Sequence, residues 1–320
     1  MVGRGEEIEE ILSALARPPA AIAIEGEAGI GKTRLVTELL SRAEIADRLQ
    51  VTGACAHIRE PFPLGPVVEA LRRTHEHLSP SAATSLSPVT GALRPLLPEL
   101  AHLLPAAPDP LNDRIGERHR VFRGLAELLG SLGRVVLVLE DMHWADEQTI
   151  EFLGYLLSDP LAGLCVVLTF RGEEVDPGIR ALTARLPASV ARVQVELPPF
   201  DTAATSALAA AVLGADRVSE DFAAYLRERT SGLPFAIQQS RVRLLPARVV
   251  TYLLLAACLF TEVGYRQVWS KLTSGLYGMP VASPSGSALR QARQRLGPQP
   301  MQALFDLLRG PAATTAAQVR

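Results

Sequence analysis

The run Gly26-Glu27-Ala28-Gly29-Ile30-Gly31-Lys32-Thr33 matches G-x-x-x-x-G-K-[ST] in full, and it stands between two segments of different period. Before it, Ala21-Ile22-Ala23-Ile24-Glu25 is a short apolar run bounded by Pro18-Pro19 and Gly26, which predicts a buried parallel strand. After it, Arg34 to Leu40 carries helical spacing. Strand, glycine loop and helix is the order a phosphate cradle requires. Glycines let successive backbone N–H groups turn inward onto phosphate oxygens, and the helix adds its positive end. On this reading Gly26, Glu27, Ala28, Gly29, Ile30 and Gly31 form the cradle, Lys32 reaches the β and γ phosphates, and the Thr33 hydroxyl holds Mg²⁺. Residue usage sharpens the point, because of 32 Lys+Arg residues only Lys32 and Lys271 are lysine. A chain so biased toward arginine keeps lysine where a compact point charge is needed and a planar fork will not serve. The alternative is a chance glycine loop, which would need strand, helix and rare lysine to coincide.

A second apolar run, Arg134 to Leu139, ends in Glu140 and Asp141 and predicts a central parallel strand. Open α/β sheets bind ligands at the C-terminal ends of their strands, where these carboxylates fall. One would hold Mg²⁺ and the other would polarise an attacking water. Motif position puts Glu140 on the metal side and Asp141 on the water side, and that order stays open. A third strand, Leu164 to Phe170, ends at Arg171, a cation placed to sense a γ phosphate. Pairing of Arg171 with Glu173 or Glu174 at the surface is the competing reading. Arg192 to Leu197 alternates and predicts a more exposed strand.

These residues resemble those of the AAA-like ATPases of the signal-transduction (STAND) type. That group includes the ATPase modules of large LuxR-type transcriptional regulators and origin-recognition-like AAA modules. Val2-Gly3-Arg4-Gly5-Glu6 is similar to the family's V-G-R opening segment, and Leu139-Glu140-Asp141-Met142-His143-Trp144-Ala145-Asp146 to its L-[DE]-D-x-H-W-A-D signature. Thr169-Phe170-Arg171 resembles its sensor strand. Gly232-Leu233-Pro234-Phe235 resembles the G-x-P element of its helical lid, with Leu233 where the family usually has Asn. The resemblance covers nearly all of 1–238. It implies an α/β fold of the P-loop NTPase kind, a parallel sheet with helices on both faces and a small helical lid. It also implies an ATP·Mg²⁺ cofactor, Val2 and Arg4 near the adenine, Pro234 in the lid, and self-association through the ATPase module. His143 and Trp144 could equally be packing residues at a helix start, with Asp146 as the N-cap.

Charge divides the chain. Residues 239–320 hold ten basic and two acidic groups, a balance of +8, so the formal −2 of the whole leaves −10 for residues 1–238. A basic segment attracts polyanions. The expected division is therefore a P-loop core over 1–198 with a Pro-rich helical insertion at 57–130, a truncated lid over 199–238, and a separate small all-α domain over 239–320. All six histidines fall within 57–143, and His75-Glu76-His77 reads as a solvated helix end rather than a metal site. The longest apolar stretch, Val249 to Phe260, is too short to cross a bilayer, so no membrane partner is expected. The acidic, polar start argues against a signal peptide, and three widely separated cysteines fit a reducing cytoplasm.

The tail is similar to the N-terminal domain of insertion-element-four-type DDE transposases. Three ordered blocks carry this: Arg243 to Val250, Gly264 to Trp269, and Ser287 to Gly297. Helices are expected from Pro246 to Phe260, from Glu262 to Leu272 behind a Thr261 cap, from a Ser287 cap to Gly297, and from Pro300 to Gly310. Arg290, Arg293 and Arg295 lie together on the third and are the candidate contacts to DNA phosphates. Transposase chemistry needs three carboxylates, and residues 239–320 offer only Glu262 and Asp306. The tail then either binds DNA or is a basic helical bundle without retained function. The whole reads as an ATPase module joined near Gln238 to the front of a transposase, as insertion of a mobile element into a regulator gene would produce.

Overall fold

The computed structural model describes residues 2–57, 62–74, 76–78, 80–214, 216–243, 264–273, 285–296, 298 and 302. The chain divides after Pro198 into two compact units. The first is built on a five-stranded sheet: β1 (Ala20–Glu25), β2 (Leu49–Ala54), β3 (Val135–Glu140), β4 (Leu164–Phe170) and β5 (Ala191–Glu196). Its order is β2-β3-β4-β1-β5 and every pairing is parallel. The strands thus all end on one side, and β4 separates β1 from β3.

Burial explains why the sheet is covered on both faces. Ala21, Ala23, Val135, Leu137, Leu139, Leu164, Val166 and Leu168 enter one apolar core. The intervening residues Ile22, Ile24, Val136, Val138, Cys165 and Val167 point the opposite way and are equally buried. Helices α1 (Gly5–Leu15), α2 (Lys32–Leu40), α3 (Gly65–Arg72), α4 (Pro80–Ser85), α5 (Arg114–Ser131), α6 (Glu147–Ser158) and α7 (Pro177–Ala184) supply the cover. Between α4 and α5, prolines start two short 3-10 turns, Pro88–Leu93 and Pro98–Leu100. Edge strand β5 alternates between exposed and partly or fully buried positions, as its sequence predicts. Edge strand β2 and helix α1 were not legible in the same way.

Aspartate caps open several of the helices. Asp113 accepts from Ile115 and Gly116 N–H at 3.0 and 2.9 Å, opening α5. Asp146 accepts from Thr149 N–H at 3.0 Å, opening α6 as an N-cap, and from Leu64 N–H at 3.2 Å, tying the insertion to the same corner.

The second unit contains α8 (Thr202–Leu213), α9 (Glu220–Thr230) and α10 (Pro234–Arg243), followed by α11 (Tyr265–Thr273) and α12 (Gly286–Leu296). Ala209, Leu213, Phe222 and Leu226 form the α8–α9 core. Between α9 and α10, Ser231 and Gly232 are left-handed, and the Gly232 carbonyl accepts from Phe200 N–H at 2.9 Å. Helix α10 runs through residue 238, where the sequence reading closes the lid. The expected Ser287 cap is corrected: α12 already begins at Gly286, because the Ser285 carbonyl accepts from Leu289 N–H at 3.1 Å, so Ser287 lies inside the helix. The helices expected over 246–260 and 300–310, with Thr261 and Glu262, fall outside the described residues, apart from Gln302. Among the described residues no helix is long and apolar enough to cross a membrane.

Candidate functional site

The glycine loop closes the C-terminal end of β1. Gly26 N–H donates to the Phe170 carbonyl at 3.3 Å, which ties the loop to β4. The crest Glu27-Ala28-Gly29 is exposed, Ile30 is buried beneath it, and Gly31 turns at φ +102° into α2. That dihedral suits glycine and strains other residues. Gly31 offers no side-chain cap, so the first turn of α2 presents its N–H groups outward. Lys32 is 92% buried, and its ammonium donates to the carbonyls of Gly26 at 2.8 Å and Glu27 at 3.1 Å. Thr33 is exposed on the same turn. An uncapped helix start, a left-handed glycine turn and an ammonium resting on loop carbonyls suit an anion with several oxygens.

Glu140 is the last residue of β3, opposite Ala54, and its carbonyl accepts from Cys55 N–H at 2.9 Å. Asp141 follows in a left-handed conformation (φ +56°) that few non-glycine residues adopt. Its N–H donates to Thr169 Oγ1 at 3.1 Å, and its carbonyl accepts from Trp144 N–H at 3.0 Å. Thr169, fully buried on β4, therefore fixes the acid on β3. That role for Thr169 was missed in the sequence, because it depends on the two strands being neighbours.

Burial pushes the Lys32 amine below its usual range; Asp141 opposes that shift, Arg171 adds to it, and Glu174 and Glu140 oppose it. Glu140 and Asp141 follow β3, and Lys32 opens α2 after β1, so the glycine loop and the two acids lie at the C-terminal ends of strands in the same sheet. Burial, aided by Asp146 and Asp141, also pushes the Cys55 thiol up to about 12, so it stays protonated.

Arg171 leaves the end of β4 and is engaged. Its Nη1 lies 3.0 and 3.2 Å from the two Glu174 oxygens, and its guanidinium sits 5.2 Å from the Trp144 ring centre. His143 packs on Trp144 at 4.5 Å, and its imidazole is wholly buried, 3.8 Å from Glu174 Oε2. Neither ring nitrogen has a hydrogen-bond partner among the described residues. Burial first, then Arg171, lowers the His143 pKa, against the pull of Asp141 and Glu174.

Folded His143 is neutral, whereas the unfolded ring takes a proton below its ordinary 6.5, so stability is lost as pH falls through that value toward the lowered folded one. Denaturant midpoints measured between about pH 7.5 and 5.5 should fall less in His143→Gln than in the parent.

Arg4 is buried and fixed, donating to Glu7 at 2.9 Å and to the Pro198 carbonyl at 2.5 Å. Val2, half-buried, and Pro234, at the start of α10, belong to the second unit. Arg290 and Arg293 are exposed on α12, and Arg295 is on the same helix.

Residues 1–167 match the family of AAA ATPase domains. The chain belongs to the AAA ATPase family. Membership implies a nucleotide site and agrees with the P-loop fold of this module. Residues 235–306 match a second family, the N-terminal domain of insertion element 4 transposases, so the ATPase module is fused to a transposase segment. No curated protein matches the chain. Among solved structures it is similar to a STAND protein with a tetratricopeptide repeat sensor from Pyrococcus horikoshii, at 17% identity and TM-score 0.43 over 92% of this chain. It spans 42% of that protein's length. It is also similar to the RuvB Holliday junction branch migration motor of Thermotoga maritima (13% identity, TM-score 0.41, 97% of this chain and 78% of that one). A third is the Aeropyrum pernix Orc1 protein in complex with DNA (16% identity, TM-score 0.35, 96% and 84%).

Proposed function

We propose that this AAA ATPase module binds ATP with Mg²⁺ and hydrolyses it slowly. The observation that carries the reading is the buried Lys32 ammonium held on the Gly26 and Glu27 carbonyls, beside an uncapped helix start. Backbone N–H groups from Gly26 to Thr33 take the phosphate oxygens, and Lys32 exchanges its carbonyl partners for the β and γ phosphates. Thr33 and Glu140 hold the metal, whose part when bound is to neutralise charge on the phosphates. Asp141, held by Thr169, orients the water. Arg171 meets the γ phosphate. Val2 and Arg4 serve the adenine end, where Arg4 is already locked by Glu7 and Pro198. Pro234 opens the last lid helix. Hydrolysis is completed by an arginine from a second copy, which is the reason to expect self-association. Titration of Mg·ATP and Mg·ADP into the full chain tests the reading; saturable binding that needs Lys32 supports it, and no binding overturns it.

The tail suggests a second activity, non-catalytic DNA binding. It rests on the exposed Arg290 and Arg293, one turn apart on α12, and on the +8 balance of residues 239–320. With Arg295 this gives three phosphate contacts, so log affinity for duplex DNA should fall against log salt with a slope of about −2 to −3. A flat salt response would leave a fusion without DNA function, the product of a mobile element entering a regulator gene. On this proposal the chain is organised as a core over 1–198, a lid over 199–238 and a DNA-directed domain over 239–320.

A further inference from the structure

We infer that Glu174 is a positioning residue that sets how well this site tells a triphosphate from a diphosphate, by competing with the γ phosphate for Arg171. The inference rests on the nucleotide reading above.

Four observations carry it. Glu174 N–H donates to the Arg171 carbonyl at 3.3 Å, so the chain turns directly after β4 and brings the carboxylate back over its own strand end. The Arg171–Glu174 pairing is therefore built into a local turn. Arg171 is also held from another direction by the Trp144 ring. The cation nearest the end of β4 is thus occupied before any phosphate arrives, although its charge is felt at Lys32. Third, the restraint is weak. Glu174 is half exposed, and exposed pairs of this kind contribute roughly 0.2–1 kcal/mol, so a phosphate dianion can displace the carboxylate.

The fourth observation supplies a second resting place for the displaced carboxylate. His143, buried and without a hydrogen-bond partner among the described residues, lies 3.8 Å from Glu174 Oε2. When Arg171 leaves, Glu174 keeps a partner by moving about 0.8 Å from its 3.8 Å separation onto the imidazole, and the buried ring gains the hydrogen bond it lacks. The charged groups around this exchange are Lys32, Arg171, Asp141 and Glu174. A diphosphate leaves Arg171 where it is, so Glu174 affects one ligand and not the other. A residue that merely stabilised the turn would affect both alike.

The test measures dissociation constants of the full chain for Mg·ADP and Mg·AMP-PNP in the parent, Glu174→Gln, Glu174→Asp and Arg171→Ala. Glu174→Gln is expected to tighten AMP-PNP about two- to five-fold, the equivalent of one exposed ion pair, and to leave ADP unchanged. Glu174→Asp should return the ratio toward the parent value. In the Arg171→Ala background, Glu174→Gln should change nothing. With Trp269→Phe removing the other tryptophan, AMP-PNP but not ADP should alter Trp144 emission. Equal shifts for both nucleotides, or none, overturn the inference. If ADP binding needs Lys32 but the ratio ignores Glu174, only this inference fails. If Lys32→Ala binds as the parent does, the nucleotide reading fails with it.

Discussion

Lys32→Ala is expected to lower affinity for Mg·ATP by about 30-fold or more, because truncating one partner of a desolvated charge pair costs roughly 2–5 kcal/mol. The ammonium is buried, depressed by that burial, and held by only two loop carbonyls, so its main electrostatic reward awaits an anion. The nucleotide-free chain should therefore lose little stability with the substitution, and the thermal midpoint should stay within a few degrees of the parent. Lys32→Arg should also weaken binding, since a planar fork replaces the compact point charge that the two loop carbonyls hold. Isothermal titration of both variants separates the outcomes. Unchanged affinity in Lys32→Ala would remove the phosphate assignment altogether.

Gly53→Ala should be the most damaging small substitution in the first unit. Gly53 lies in β2, and a Cβ there would run into the carbonyl oxygen of Pro66, with that carbonyl carbon at 2.8 Å and Ala70 Cβ at 3.3 Å. Two of those atoms are backbone at the start of α3, so relief requires the helix to lift off the strand. The expected loss is about 3 kcal/mol, at the upper end for overpacking. In a unit of this size that lowers the thermal midpoint by roughly 6–12 °C. The effect should reach the site, because Ala54 pairs with Glu140 and Cys55 N–H donates to its carbonyl. Gly5→Ala is the control: nothing lies within 4 Å of a Cβ in the first turn of α1, and a gain of about 0.5 kcal/mol is expected. A Gly53→Ala chain that melts with the parent would show that α3 is free to shift.

The two parts of the candidate site are each written in consecutive residues, whereas their neighbourhood in the fold is not. The glycine loop was legible because β1, loop and α2 are consecutive, so one eight-residue pattern specifies a complete local structure. Glu140 and Asp141 were legible because a continuous apolar strand ends in them. Asp146 as the cap of α6 was available from residue type and position alone. By contrast β2 was hidden, since Leu49 to Ala54 buries only two positions, Val51 and Gly53, and carries a glycine mid-strand. The choice between Glu173 and Glu174 as the partner of Arg171 was open until the turn after β4 brought Glu174 back. Nothing in the chain order predicts that Thr169 would anchor Asp141, twenty-eight residues earlier.

By itself the sequence determined the P-loop, the strand bearing the acids, and the join to a basic segment of different ancestry. Each is written in neighbouring residues or in their charge, where period and spacing act directly on the backbone. Only the tertiary structure decided that β4 lies between β1 and β3. That order brings Thr169 to the Asp141 N–H and Arg171 to the Trp144 ring. Such contacts depend on which strands become neighbours, and long-range pairing leaves no local trace in the residues that it joins.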